Sequence, residues 1–86
     1  MEINHTLIPS KEKVAAAEFF AEIMGLEVGD TSGHFAPVRI SENFVMDFAN
    51  SDDVSLWYPE KGHFARMHYA FRVTEEEFDQ IFARVQ

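Results

Sequence analysis

The chain has 86 residues, with seven Lys and Arg against fifteen Asp and Glu, so its formal net charge is −8 with histidine neutral. That balance leaves no basic stripe for a phosphate backbone or an anionic lipid surface, which argues against nucleic-acid and membrane roles. The absence of cysteine excludes disulfide scaffolds and thiolate zinc sites. A hydrophobic content of 47%, with nine Phe, is too apolar for intrinsic disorder.

A chain of this size buries only about 60–65% of the surface its unfolded form exposes, so a lone copy is marginal and an oligomer or a fragment is expected, with an unpaired sheet edge and an apolar helix stripe favouring a homodimer. The start, Met1-Glu2-Ile3-Asn4-His5, lacks a charged region followed by an apolar one. No apolar run approaches the roughly 18 residues of a membrane span. A soluble cytoplasmic protein is the expectation.

Taken in chain order, Glu2 to Ile8 carries Ile3, Leu7 and Ile8 and stops at Pro9, which predicts a first strand. Ser10 is placed to cap a helix whose apolar residues Ala16, Phe19, Phe20 and Ile23 follow the i, i+3, i+4, i+7 spacing. Gly25 ends that helix in a left-handed cap, and Leu26 packs back onto its last turn. Turn clusters at residues 29–33 and 41–43 then bracket predicted strands near 26–29, 35–40 and 44–49. Pro37 cannot donate to a ladder and predicts an edge or a bulge. In the last of these strands Phe44, Met46 and Phe48 alternate with Val45, Asp47 and Ala49, so one face is bulky and the other carries a carboxylate.

Residues 50–65 read as a connecting segment with Leu56, Trp57 and Tyr58 at its middle. Arg66 to Val73 alternates again, with Met67, Tyr69, Phe71 and Val73 on one face and Arg66, His68, Ala70 and Arg72 on the other. Thr74 and Glu77 have capping-box spacing, and Phe78, Ile81, Phe82 and Val85 repeat the helical pattern. Strand followed by helix thus occurs twice, a sign of internal repetition.

The segments Ile3-Asn4-His5-Thr6-Leu7-Ile8-Pro9, Ala17-Glu18-Phe19-Phe20-Ala21-Glu22-Ile23-Met24-Gly25-Leu26, Phe44-Val45-Met46-Asp47-Phe48 and Met67-His68-Tyr69-Ala70-Phe71-Arg72-Val73 resemble the vicinal oxygen chelate superfamily. That group contains glyoxalase I, extradiol dioxygenases and bleomycin resistance proteins. The resemblance covers the chain except for residues 50–65 and implies an α+β fold of paired βαβββ modules curved into a cup. Residues 1–49 would form the first module, 50–65 the connection, and 66–86 the start of a second one, a strand plus a helix. The second module is expected to be truncated, without the strand that carries the superfamily's terminal glutamate ligand.

The resemblance also implies a ligand set. His5 matches the first-strand ligand, Asp47 the last-strand carboxylate of the first module, and His68 the first-strand ligand of the second. Glutamate is commoner at the Asp47 position, and aspartate reaches one methylene less far. Two imidazoles and a carboxylate suit Zn, Ni, Mn or Fe as a divalent ion, leaving open positions for a substrate oxygen. Alternation alone sets Asp47 and His68 away from the bulky face of their own strands, whereas His5 shares its face with Ile3 and Leu7. Left open beside the ligand reading are a half-buried His5 and an Asp47 that faces water or pairs with Arg66 or Arg72. Arg39, Arg66 and Arg72 are candidates to orient an anionic substrate, and Trp57 and Tyr58 to line or close a ligand site.

Three functions follow from the resemblance. The first is a metal-dependent lyase, isomerase or dioxygenase acting on a small oxygen-bearing substrate. The second is a metal-free protein that sequesters a small molecule, as bleomycin resistance proteins do. The third is a truncated, non-catalytic association module.

Overall fold

A computed structural model describes residues 1–51 and 69–85. Its elements are β1 (His5–Ser10), α1 (Lys13–Met24), β2 (Ala36–Ser41), β3 (Phe44–Asn50) and α2 (Glu75–Val85). The strands form one sheet in the order β1-β3-β2, with β3 parallel to β1 and antiparallel to β2. Parallel neighbours need a crossover, and α1 begins it directly after β1. β2 and β3 need only the two-residue Glu42-Asn43 turn between them.

Alternation along the strands divides the sheet into two unlike faces. Phe44, Met46 and Phe48 of β3 and Ala36, Val38 and Ile40 of β2 pack with α1, whose Ala17 and Ala21 are buried. Small residues at this contact let the helix approach the sheet closely, and Phe20 fills the space beside them. The Phe20 ring lies 5.7 Å from that of Phe48 and 5.9 Å from that of Phe71, which ties residues 69–73 to the core. The other face carries His5, Leu7, Val45, Asp47, Pro37 and Arg39, and it holds the candidate site.

Several predicted features are present. Gly25 ends α1 with φ 74°, and the Leu26 N–H donates to the Ala21 carbonyl at 2.8 Å. The capping box also forms, with the Thr74 N–H donating to Glu77 Oε1 at 2.8 Å and the Glu77 N–H to Thr74 Oγ1 at 3.1 Å. Pro37 lies on β2, at the end of the strand order. Its carbonyl accepts the Gly29 N–H at 2.8 Å. The N and O of a strand residue point to the same edge, so the missing proline N–H falls on the side away from β3 and the β2–β3 ladder loses nothing.

Other expectations need correction. Ser10 does not cap α1. It ends β1, its Oγ donates to the Ala49 carbonyl at 3.3 Å, and Asn50 Oδ1 accepts the Lys13 N–H at 2.9 Å instead. The cap therefore comes from the far end of β3, held there by the β1–β3 pairing. Residues 26–29 contribute a single antiparallel bridge, Val28 to Val38, in place of a strand. Of the strand predicted over 66–73, residues 69–73 have no ladder partner among the described residues and are held by side chains: Tyr69 Oη shares a 3.4 Å hydrogen bond with Thr6 Oγ1, and Phe71 packs on Phe20. Residues 66–68 lie outside the described residues.

α2 attaches to the first unit through a few side chains. Arg84 Nη1 donates to the Ile23 carbonyl at 3.3 Å, completing the C-terminal turn of α1. Phe78 and Phe82 stack on each other at 6.2 Å and stay more than half exposed, as does Val85. No helix among the described residues is long and apolar enough to cross a membrane.

Three measurements check this packing. In urea denaturation, Phe48→Ala, which empties a site only 5% exposed, should cost about 3–5 kcal/mol. Phe82→Ala, at 55% exposure, should cost about 0.5 kcal/mol or less; equal costs would contradict the assignment of the core. A Cβ at Gly25 would combine positive φ with an approach of 2.7 Å to the Arg84 guanidinium, whereas one at Gly33 meets nothing within 4 Å. Gly25→Ala should therefore destabilise by about 1–2 kcal/mol and Gly33→Ala by far less.

The third concerns pH. The backbone and hydroxyl hydrogen bonds from Thr74 hold the Glu77 carboxyl below its ordinary value. A depressed folded value gives stability that is present above the unfolded pKa of about 4.3 and is lost as pH falls through the folded one. NMR shifts of residues 75–85 should report loss of helix on acidification below that point, and Glu77→Gln should start less helical and change less.

Candidate functional site

Two strand pairings place the site. In the β1–β3 register His5 lies beside Val45 and Leu7 beside Asp47. In the β2–β3 register Arg39 lies beside the same Val45 and Pro37 beside the same Asp47. One row across the sheet thus reads His5, Val45, Arg39, and the next reads Leu7, Asp47, Pro37. The side chains of both rows leave the sheet on the face opposite α1.

His5, Arg39, Val45 and Asp47 line one open cleft of about 480 Å³ together with Asn4, Glu42 and Asn43. His5 is exposed, which corrects the half-buried alternative, and Asp47 is partly buried. His5 Nδ1 and Asn4 Oδ1 are hydrogen-bond partners, so Asn4 would hold a proton on Nδ1 and turn Nε2 toward a ligand. Arg39 Nη1 donates to the Glu42 carbonyl at 2.9 Å across the β2–β3 turn. The register between these strands shifts between Arg39 and Ser41, a bulge of the kind that re-aims side chains beside functional sites.

The arrangement separates the predicted site residues. His5, Asp47 and Arg39 come together. Arg72 does not join them: it lines a smaller cavity of about 110 Å³ under α2, with Met24, Leu26, Ile40 and Phe71 among its neighbours, so it is no partner for Asp47. Trp57, Tyr58, Arg66 and His68 lie outside the described residues. Asn4 and the Glu42 carbonyl are contributors that sequence reasoning missed. An amide next to a candidate histidine ligand is a readable signal, whereas the Arg39 tether depends on the turn's geometry.

A divalent ion at this place would find an imidazole nitrogen with its other nitrogen already anchored, and a carboxylate one row away on the neighbouring strand. Those donors have the right chemistry. Among the described residues, however, no group of three His, Asp or Glu converges, so they supply only part of a coordination sphere.

No protein-family model matches the chain, and no match is found among curated proteins. Solved structures do match. The chain is 36% identical to the oxidase ChaP-H2 over 99% of its own length and 60% of that chain, with a TM-score of 0.82. It is 33% identical to the oxidase ChaP-H1 over 99% of its own length and 61% of that chain, with a TM-score of 0.80. To a protein described as a possible glyoxalase from Bacillus cereus it is 28% identical over 99% of its own length and 71% of that chain, with a TM-score of 0.65. The chain therefore spans about three fifths of the length of the two ChaP oxidases. The α+β architecture matches a glyoxalase-like module, and these likenesses are consistent with the vicinal oxygen chelate superfamily.

Proposed function

We propose that the chain binds a small oxygen-bearing substrate on the outer face of its sheet, at a divalent-metal site held by His5 and Asp47, with His68 as the third protein ligand. One observation carries this reading: the β1–β3 register puts an imidazole and a carboxylate on the same face, one row apart, in one cleft. The oxidase and glyoxalase names of the similar structures support oxygen-centred chemistry. When bound, such an ion polarises a carbonyl or stabilises an enolate or phenolate oxygen as charge develops. The chain's own part is to hold His5 in one tautomer through Asn4 and to present Asp47 beside it.

A metal-free binding protein is the second reading, favoured by the incomplete donor set among the described residues. Calorimetry with Ni²⁺, Zn²⁺ and Mn²⁺ decides between the two. Stoichiometric uptake is expected, weakened by at least about tenfold in His5→Ala and in Asp47→Ala and by about tenfold in Asn4→Ala. A folded protein that takes up none of the ions would refute the metal site and leave the second reading.

A further inference from the structure

Arg39 stands out among the groups that the metal reading leaves unused. Its guanidinium is tethered to the Glu42 carbonyl and has no ion pair with a carboxylate among the described residues. It is the one cation among the seven residues lining the cleft. In a chain of net charge −8, an arginine without a carboxylate partner beside a binding cleft is a positive charge held for something else. A planar fork of N–H donors suits an oxyanion, above all a carboxylate taken by two parallel hydrogen bonds.

The rows set the ligand's dimensions. His5 and Arg39 flank Val45 in one row, so their Cα atoms are two strand spacings apart, about 9.6 Å. Val45 gives the floor between them an apolar surface. A ligand that reached both ends would carry an anionic group at the Arg39 end, a flat apolar body over Val45, and an oxygen donor at the His5 and Asp47 end. Charge adds a coupling. Without a bound cation, Asp47 and Glu42 oppose an anion and outweigh Arg39; with a divalent ion at His5 and Asp47 the sign reverses, and cation and anion should each strengthen the binding of the other.

We infer that Arg39 is the specificity-determining anchor of this site, and that its ligands are organic anions bearing a carboxylate at one end and an oxygen donor at the other. The inference rests on the proposed site and deepens it, but its test can fail separately.

The probes are 4-hydroxybenzoate and its neutral isostere 4-hydroxybenzamide, titrated into Ni²⁺-loaded protein by calorimetry, with the amide shift of Val45 locating them. The anion should bind at least about tenfold more tightly than the amide, as expected for a charge-assisted pair. Arg39→Gln should bring that ratio close to one while Ni²⁺ affinity changes by less than about threefold, and Arg39→Lys should restore part of it. A ratio near one in the unmutated protein, or a preference that survives Arg39→Gln, would overturn the anchor. If the protein takes up no Ni²⁺, the metal reading has failed. The same probes on metal-free protein then decide Arg39 alone: an anion-to-amide affinity ratio that falls in Arg39→Gln supports it, and a ratio unchanged by that substitution overturns it.

Discussion

The structure depends on the parallel pairing of β1 with β3. It joins the first strand of the chain to one formed some forty positions later, with the Val45 N–H on the Asn4 carbonyl at one end and the Ser51 N–H on the Ser10 carbonyl at the other. Side chains alternate with a period of two, so a slip of one residue in β1 would exchange its faces. Ile8 would leave the core, and Thr6 would replace His5 beside Val45. The same register delivers Asn50 to the start of α1, where it accepts the Lys13 N–H. Core, helix cap and candidate site all follow from this one alignment.

Residues 69–85 are held differently. α2 has no buried residue, and its connection to the first unit runs through Arg84 at the C-terminus of α1 and through Phe71 on Phe20. Its own order comes from local chemistry: three glutamates in the first turn favour the positive end of the helix dipole, and Thr74 and Glu77 satisfy each other's backbone donors. The contrast separates a unit stabilised by burial from a helix stabilised mainly by its ends. It also locates the candidate site on the part stabilised by burial, where strands, not loops, position His5, Asp47 and Arg39.

Legibility in the sequence followed the same division. Features governed by near neighbours could be read directly: the alternation of β3, Gly25 as a cap, the Thr74–Glu77 box and the outward face of Asp47. Features set by distant residues could not. Ser10 had the chemistry of a cap, but Asn50 takes that place because tertiary pairing brings it there. Alternation over 69–73 described a strand that has no ladder partner among the described residues. The three arginines were equivalent by composition, and only the β2–β3 register and its bulge separate Arg39, in the cleft, from Arg72, under α2. His5 was ambiguous for the same reason, since its neighbours across the sheet are not its neighbours in sequence.

The most direct measurement is a set of NMR proton–proton contacts between β1 and β3 in this 9.9 kDa chain. The account predicts contacts from the His5 ring to the Val45 methyls and from the Leu7 methyls to the Asp47 β-protons, on one face of the sheet, with Ile8 touching Phe48 on the other. Contacts from Thr6, in place of His5, to the Val45 methyls would show a register displaced by one residue. That result would separate the histidine from the aspartate and remove the basis of the site.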